Sequence, residues 1–174
     1  AVIAGAWGAS PFRVVLRAGE RVAARAELSS DGSAVLTHAK RKLEDGSFDE
    51  EAGADAAGVL TLWDAQTGTA RPLIALDGKP PVPDDAPVRA HFAPDGKSFA
   101  TVGPDSVVRV WETDSGKQRL HLEGHEGVTH AAFSPDGQSL LSWGAAGEAR
   151  VWDAASGELR HRLQDDGHSI VHAH

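Results

Sequence analysis

The stretch VTHAAFSPDGQSLLSWGAAGEARVWDAASG, residues 128–157, decides the fold because it contains its own turn chemistry. At the Ser134–Gly137 corner, Pro135 fixes φ and Asp136 can hydrogen-bond its own backbone. Gly137 then takes the positive φ that returns the chain into a hairpin. Asp153–Gly157 supplies a second polar cap ending in Gly, and the runs between turns are short and rich in Val, Leu, Phe and Trp, as strands require. Residues 88–116, VRAHFAPDGKSFATVGPDSVVRVWETDSG, repeat the pattern: Asp95 to Asp136, Trp111 to Trp152 and Gly116 to Gly157 are each 41 residues apart. An earlier copy has SSDG at 29–32 and LTLWDAQTG at 60–68. Its spacings to the next copy are longer, 48 residues from Trp63 to Trp111 and 64 from Asp31 to Asp95, so surplus loops fall at Arg41–Gly58 and Asp77–Asp85.

A fixed period near ~40–45 residues with Trp-Asp closing a strand marks a four-stranded propeller blade. On these residues the chain resembles the WD-repeat β-propeller family over nearly its whole length. The resemblance implies an all-β fold of four-stranded antiparallel blades, about three complete ones with partial blades at the flanks. The expected division is 1–18 as the end of a preceding blade, 19–76 as a blade with the inserted acidic loop 41–58, and 77–85 as a Pro-rich connector. Blades at 86–123 and 124–164 follow, and 165–174 starts another. Alternation is imperfect in VVRVW and SLLSW, as expected when neighbouring blades cover both faces of an inner strand.

The chain has 174 residues, a net charge of −8, and neither Cys nor Met. Disulfides and cysteine metal sites are therefore excluded. The acidic balance argues against nucleic acid or an anionic membrane as partner. No leader or transmembrane run stands out, and a cytoplasmic setting is expected. About four repeat equivalents leave three architectures open: a piece of a longer propeller, a ring completed by a second copy, and a tight four-bladed closure. Open blade edges would favour self-association. The Ala-, Gly- and Asp-rich usage and the FSPDG turn resemble bacterial members of the family, in which a propeller often accompanies an enzyme domain.

The resemblance also implies a buried relay of a His, a Ser or Thr, an Asp and the third-strand Trp. His125, Ser142 and Trp152 supply part of it in one blade, with Ala146 and Gly147 where the Asp would stand. Thr101, Asp105 and Trp111 supply part in another, and Thr37 and Trp63 in the first. With Asp64 and Asp153, these are expected to be structural blade residues. Three positions before the Leu or Phe that precedes each Asp-Gly corner stand Arg25, Arg89 and His130, a basic arc suited to a carboxylate- or phosphate-bearing segment. Trp143 is a candidate aromatic anchor beside it, and ordinary packing between blades accounts for it equally well. His172 and His174 share one strand face in an i, i+2 pair, but no third ligand is fixed, so no metal or other cofactor is expected. Glu44–Asp55, with six carboxylates, lacks the spacing of a calcium loop. The functional expectation is a non-catalytic scaffold for a protein or peptide. The alternatives are a regulatory arm of an enzyme and a metal-dependent propeller hydrolase or lyase.

Overall fold

The computed structural model of the chain describes residues 22–40, 58–73, 89–144 and 147–164. The flanking segments 1–21 and 165–174, the acidic loop and the Pro-rich connector lie outside the described residues, and with them the expectations placed there. Among the described residues, twelve strands form three four-stranded antiparallel sheets, each in sequence order. The first holds β1 (Val22–Leu28), β2 (Ala34–Lys40), β3 (Gly58–Asp64) and β4 (Ala70–Arg71). The second holds β5 (Arg89–Phe92), β6 (Ser98–Val102), β7 (Val108–Glu112) and β8 (Gln118–Leu122). The third holds β9 (Val128–Phe133), β10 (Ser139–Gly144), β11 (Glu148–Asp153) and β12 (Leu159–Gln164). The stretch AARAEL, which alone could pass for helix, lies within β1.

Register assigns each side chain to a face, because residues opposite one another across an antiparallel ladder point the same way. In the second sheet Phe92, Phe99 and Trp111 stand opposite one another on one face. Ala100, Val110 and Leu120 do so on the other, as do Val102, Val108 and Leu122. The first face meets Ala34, Leu36 and Leu62 of the first sheet in one buried cluster, where Phe99 stacks on Trp111 at 6.1 Å. The second face meets Val128, Ala131, Leu140 and Trp152 of the third sheet in another. Each fully buried Leu, Val or Phe contributes about 1.5–3 kcal/mol. The core is thus two seams between stacked blades, and no blade holds it alone.

Polar bonds fasten the same seams. Arg71 Nη1 donates to the Thr113 carbonyl at 3.0 Å, and Arg119 Nη2 donates to the Ala154 carbonyl at 2.7 Å. Thr113 and Ala154 are equivalent, each two residues beyond the Trp that closes its third strand. Gly116 shows how closely the blades approach: a Cβ there would lie 2.1 Å from the Pro72 carbonyl oxygen.

Candidate functional site

The inner strands β5 and β9 bring Arg89 and His130 together across the seam between the second and third sheets. Arg89 Nη1 lies 2.6 Å from His130 Nε2. A guanidinium can only donate, so Nε2 accepts and the neutral ring carries its proton on Nδ1. That nitrogen lies 2.8 Å from Thr129 Oγ1, which accepts it. On the neighbouring strand Trp143 stands opposite His130, with the two rings stacked at 5.1 Å and 10°. Trp143 is itself buried, and among the described residues its indole N–H has no hydrogen-bond partner. The indole therefore backs the imidazole as packing and does not project from the rim as a free anchor.

This cluster borders an open cleft of about 360 Å3. Arg89 and Thr129 face it, with Val102, Val128 and Pro104 as apolar wall and Ser106 at the lip. Ser106 is the only non-glycine residue with positive φ among the described residues, at 58°. Arg25 holds the same slot in the first sheet, opposite His38 in register, and its side chain lies outside the described residues. The arc expected from sequence is thus drawn as a contact pair at one seam.

The blade residues settle into three versions of one bond. Trp63, Trp111 and Trp152 donate their indole N–H to Thr37, Thr101 and Ser142 at 2.7, 2.9 and 2.8 Å. In the third sheet the chain of bonds continues. Ser142 Oγ lies 2.8 Å from His125 Nδ1, and His125 Nε2 lies 3.2 Å from the Glu148 carbonyl. A carbonyl only accepts, so this ring carries its proton on Nε2 and takes the Ser142 hydroxyl proton on Nδ1. The place left empty by the missing Asp is filled by main chain, because the turn brings the Glu148 carbonyl to the ring. Burial, with the nearby Arg150 charge, holds His125 below the ordinary imidazole range.

Asp105 has a different role. It binds Arg109 through both oxygens, at 3.2 and 2.6 Å, and receives the Val107 N–H at 3.2 Å. Burial pushes its carboxyl up, but these bonds outweigh burial and hold it below the usual range. Asp64 and Asp153 cap their turns alike, each accepting two backbone N–H bonds and the Arg three residues past the turn glycine. Bonds from the Ser156 and Ala155 N–H groups and from Arg160 lower Asp153 to about 2.

Sequence reading missed Glu27, which accepts the Phe92 N–H at 2.9 Å and lies 3.2 Å from His91 Nδ1, joining the first two sheets. Its signal was available, since Glu27 and His91 hold the same slot four residues before an Asp-Gly corner. Arg71, Arg119 and Arg160, each three residues after a turn glycine, also went unread as a series. Among the described residues no three His, Asp or Glu side chains group as metal ligands.

Residues 83–112 and 116–153 match the family model described as WD domain, G-beta repeat. The fold is similar to the structure of U3-55K, with a TM-score of 0.63 at 21% identity over 89% of this chain and 43% of that one. It is similar also to the crystal structure of RRP9 WD40 repeats, with a TM-score of 0.63 at 20% identity over 89% of this chain and 42% of that one. The chain therefore spans less than half the length of either. Residues 83–112 and 116–153 thus carry the WD repeat, and the fold is an all-β one of four-stranded antiparallel blades similar to that of WD40 propellers.

Proposed function

We propose that this chain of WD-repeat blades is a non-catalytic interaction module that holds a protein or peptide segment at the seam between its second and third blades. The observation that carries the reading is the Arg89–His130 pair, backed by Trp143 and bordering the cleft walled by Val102 and Val128. A cleft with an apolar wall and a few placed polar groups is the usual form of a binding site. Arg89 adds a planar donor suited to a carboxylate or phosphate on the bound segment. The bonded His, Ser and Trp of the blades serve the fold, which leaves the seam as the feature that a partner would read. The Ala-, Gly- and Asp-rich usage and the FSPDG turn resemble bacterial members of the family, and on that resemblance the module would belong to a larger bacterial protein.

The test is selection from a displayed random peptide library against the immobilised chain, followed by affinities of recovered peptides for variants. Arg89→Glu should weaken binding at least about tenfold, on the order of 1.4 kcal/mol. Lys117→Glu, exposed beside the outer strand β8, should change it little. Equal effects of the two would remove this cleft as the site.

A further inference from the structure

The third blade closes a small polar set that the second blade leaves open. Arg160 binds Asp153 through Nη2 and donates Nη1 to Ser139 Oγ at 3.1 Å. The residues 41 positions earlier are Arg119, Glu112 and Ser98. Glu112 accepts the Ser115 hydroxyl at 2.7 Å instead, and Arg119 donates from Nη2 to the Ala154 carbonyl across the seam. Among the described residues Arg119 has no carboxylate partner, whereas Arg71 pairs with Asp64 and Arg160 with Asp153. Ser98 is 9% exposed, and among the described residues its hydroxyl has no hydrogen-bond partner.

Arg119 and Ser98 line one cleft of about 290 Å3, between the second and third sheets. Asp95 and Gly137, in the turns that follow the first strand of each blade, border it, as does the turn at Asp153. The cleft beside Arg89 is bordered instead by Gly103, Ser106 and Gly127, in the alternate turns. In an antiparallel sheet alternate turns lie at opposite ends of the strands, so the two clefts open on opposite rims.

The seam between the first and second sheets shows what such a place accepts. There the exposed Asp114 brings Oδ1 to 3.8 Å from Arg71 Nη1. The residue equivalent to Asp114 in the third blade is Ala155, which lines the cleft with a methyl group. Arg119 therefore lacks both carboxylates that face Arg71: Glu112 is engaged elsewhere, and Ala155 has none to offer.

We infer that this cleft is a second binding site, which takes a side-chain carboxylate of an acidic peptide segment on the guanidinium of Arg119. The Ser98 hydroxyl is a further donor in the same cleft. A guanidinium offers paired N–H donors that match a carboxylate. Charge selects a carboxylate over a phosphate. Asp153 neutralises Arg160, and Asp95 adds a negative charge at the cleft, so the dianion would meet one unpaired cation and like-charge repulsion.

Backbone amide spectra of the whole chain, titrated with N-acetyl-aspartate N-methylamide at constant ionic strength, test this site. Saturable shifts are expected at Ser98, Gln138 and Ala155. The asparagine counterpart of the probe should bind at least about tenfold more weakly, as should the aspartate probe to Arg119→Gln. Arg119→Gln also removes the bond to the Ala154 carbonyl, so Ala155→Asp is the independent check. It keeps that bond, supplies the missing carboxylate from the chain itself, and should weaken the probe by a similar factor. The phosphoserine counterpart should bind no more tightly than the aspartate probe. The inference is overturned by the absence of saturable shifts at these amides, by binding indifferent to either variant or to the asparagine change, and by a tighter phosphoserine probe. Shifts confined to Gly103 and Thr129 would put the probe in the cleft beside Arg89, which overturns the second site and leaves the first standing.

Discussion

Arg89 and His130 occupy the same position of successive blades, and Nη1 of one lies 2.6 Å from Nε2 of the other. The guanidinium fixes the imidazole tautomer as Nδ1–H, the form less favoured by a free histidine. His125 is fixed the opposite way, as Nε2–H, by the Glu148 carbonyl. Long-range proton–nitrogen spectra at alkaline pH should therefore show both tautomers, assignable by substitution. Arg89→Gln should release His130 towards Nε2–H and leave His125 unchanged. A wild-type His130 already in the Nε2–H form would show that the Arg89 contact is absent in solution.

Ser106 and Gly147 hold one turn position, 41 residues apart, with φ of 58° and 71°. A side chain in this left-handed region costs about 1–2 kcal/mol. Glycine avoids that cost but loses more conformational entropy on folding. The net expectation for Ser106→Gly is a gain of about 0.5–1 kcal/mol. Urea unfolding should show a higher midpoint with unchanged slope. A lower midpoint would mean that the Ser106 side chain makes a contact worth more than the strain.

The blades were legible because their information is local. Pro135, Asp136 and Gly137 dictate a turn by themselves, and the repeat of Trp111 at Trp152 needs only counting. The relay was half legible: Thr101 and Ser142 were found as indole partners, but the Glu148 carbonyl was not, because a main-chain acceptor leaves no residue type to read. Pairing between Arg89 and His130 also lay beyond sequence, since equal slots show that residues are equivalent without showing that they touch. Only the distance between stacked blades decides that. Sequence left Trp143 open between rim anchor and packing for the same reason, since its burial behind His130 depends on cross-strand register.

Asp153 carries an acid dependence with a definite sign. Its carboxyl is lowered from 3.8 to about 2 in the folded chain, so folding favours the ionised form. The stabilisation is fully present above the unfolded value of 3.8 and is lost as pH falls towards about 2. Asp153→Asn keeps a side-chain acceptor for the turn but cannot ionise or pair with the Arg160 charge. Its unfolding free energy should decline less steeply than the wild type's across that window. Parallel declines would mean that the carboxylate has the same affinity for protons in both states.

His125 acts nearer neutrality. Its folded pKa is lowered from 6.5, first by burial, so the native state favours the neutral ring. Above 6.5 neither state holds the proton and the full contribution is present. As pH falls below that value the unfolded chain protonates first, and stability is lost. The stability gap between wild type and His125→Gln should therefore narrow on going from neutral to mildly acid solution. A constant gap would place the ring in contact with water.

Ser142 and Thr101 offer a paired test of the relay. Each accepts an indole N–H, but Ser142 also donates to His125 Nδ1. Thr101→Val leaves one buried donor, the Trp111 N–H, without its acceptor, at about 1–3 kcal/mol. Ser142→Ala strands both the Trp152 N–H and the His125 Nδ1, and so should cost more than Thr101→Val. Trp152→Ala should cost about 3–5 kcal/mol, because it opens a cavity in the buried cluster between the second and third blades. In a double-mutant cycle, adding Ser142→Ala to Trp152→Ala should cost less than Ser142→Ala alone, since the stranded indole is already gone. Strict additivity would mean that the 2.8 Å contact carries no energy.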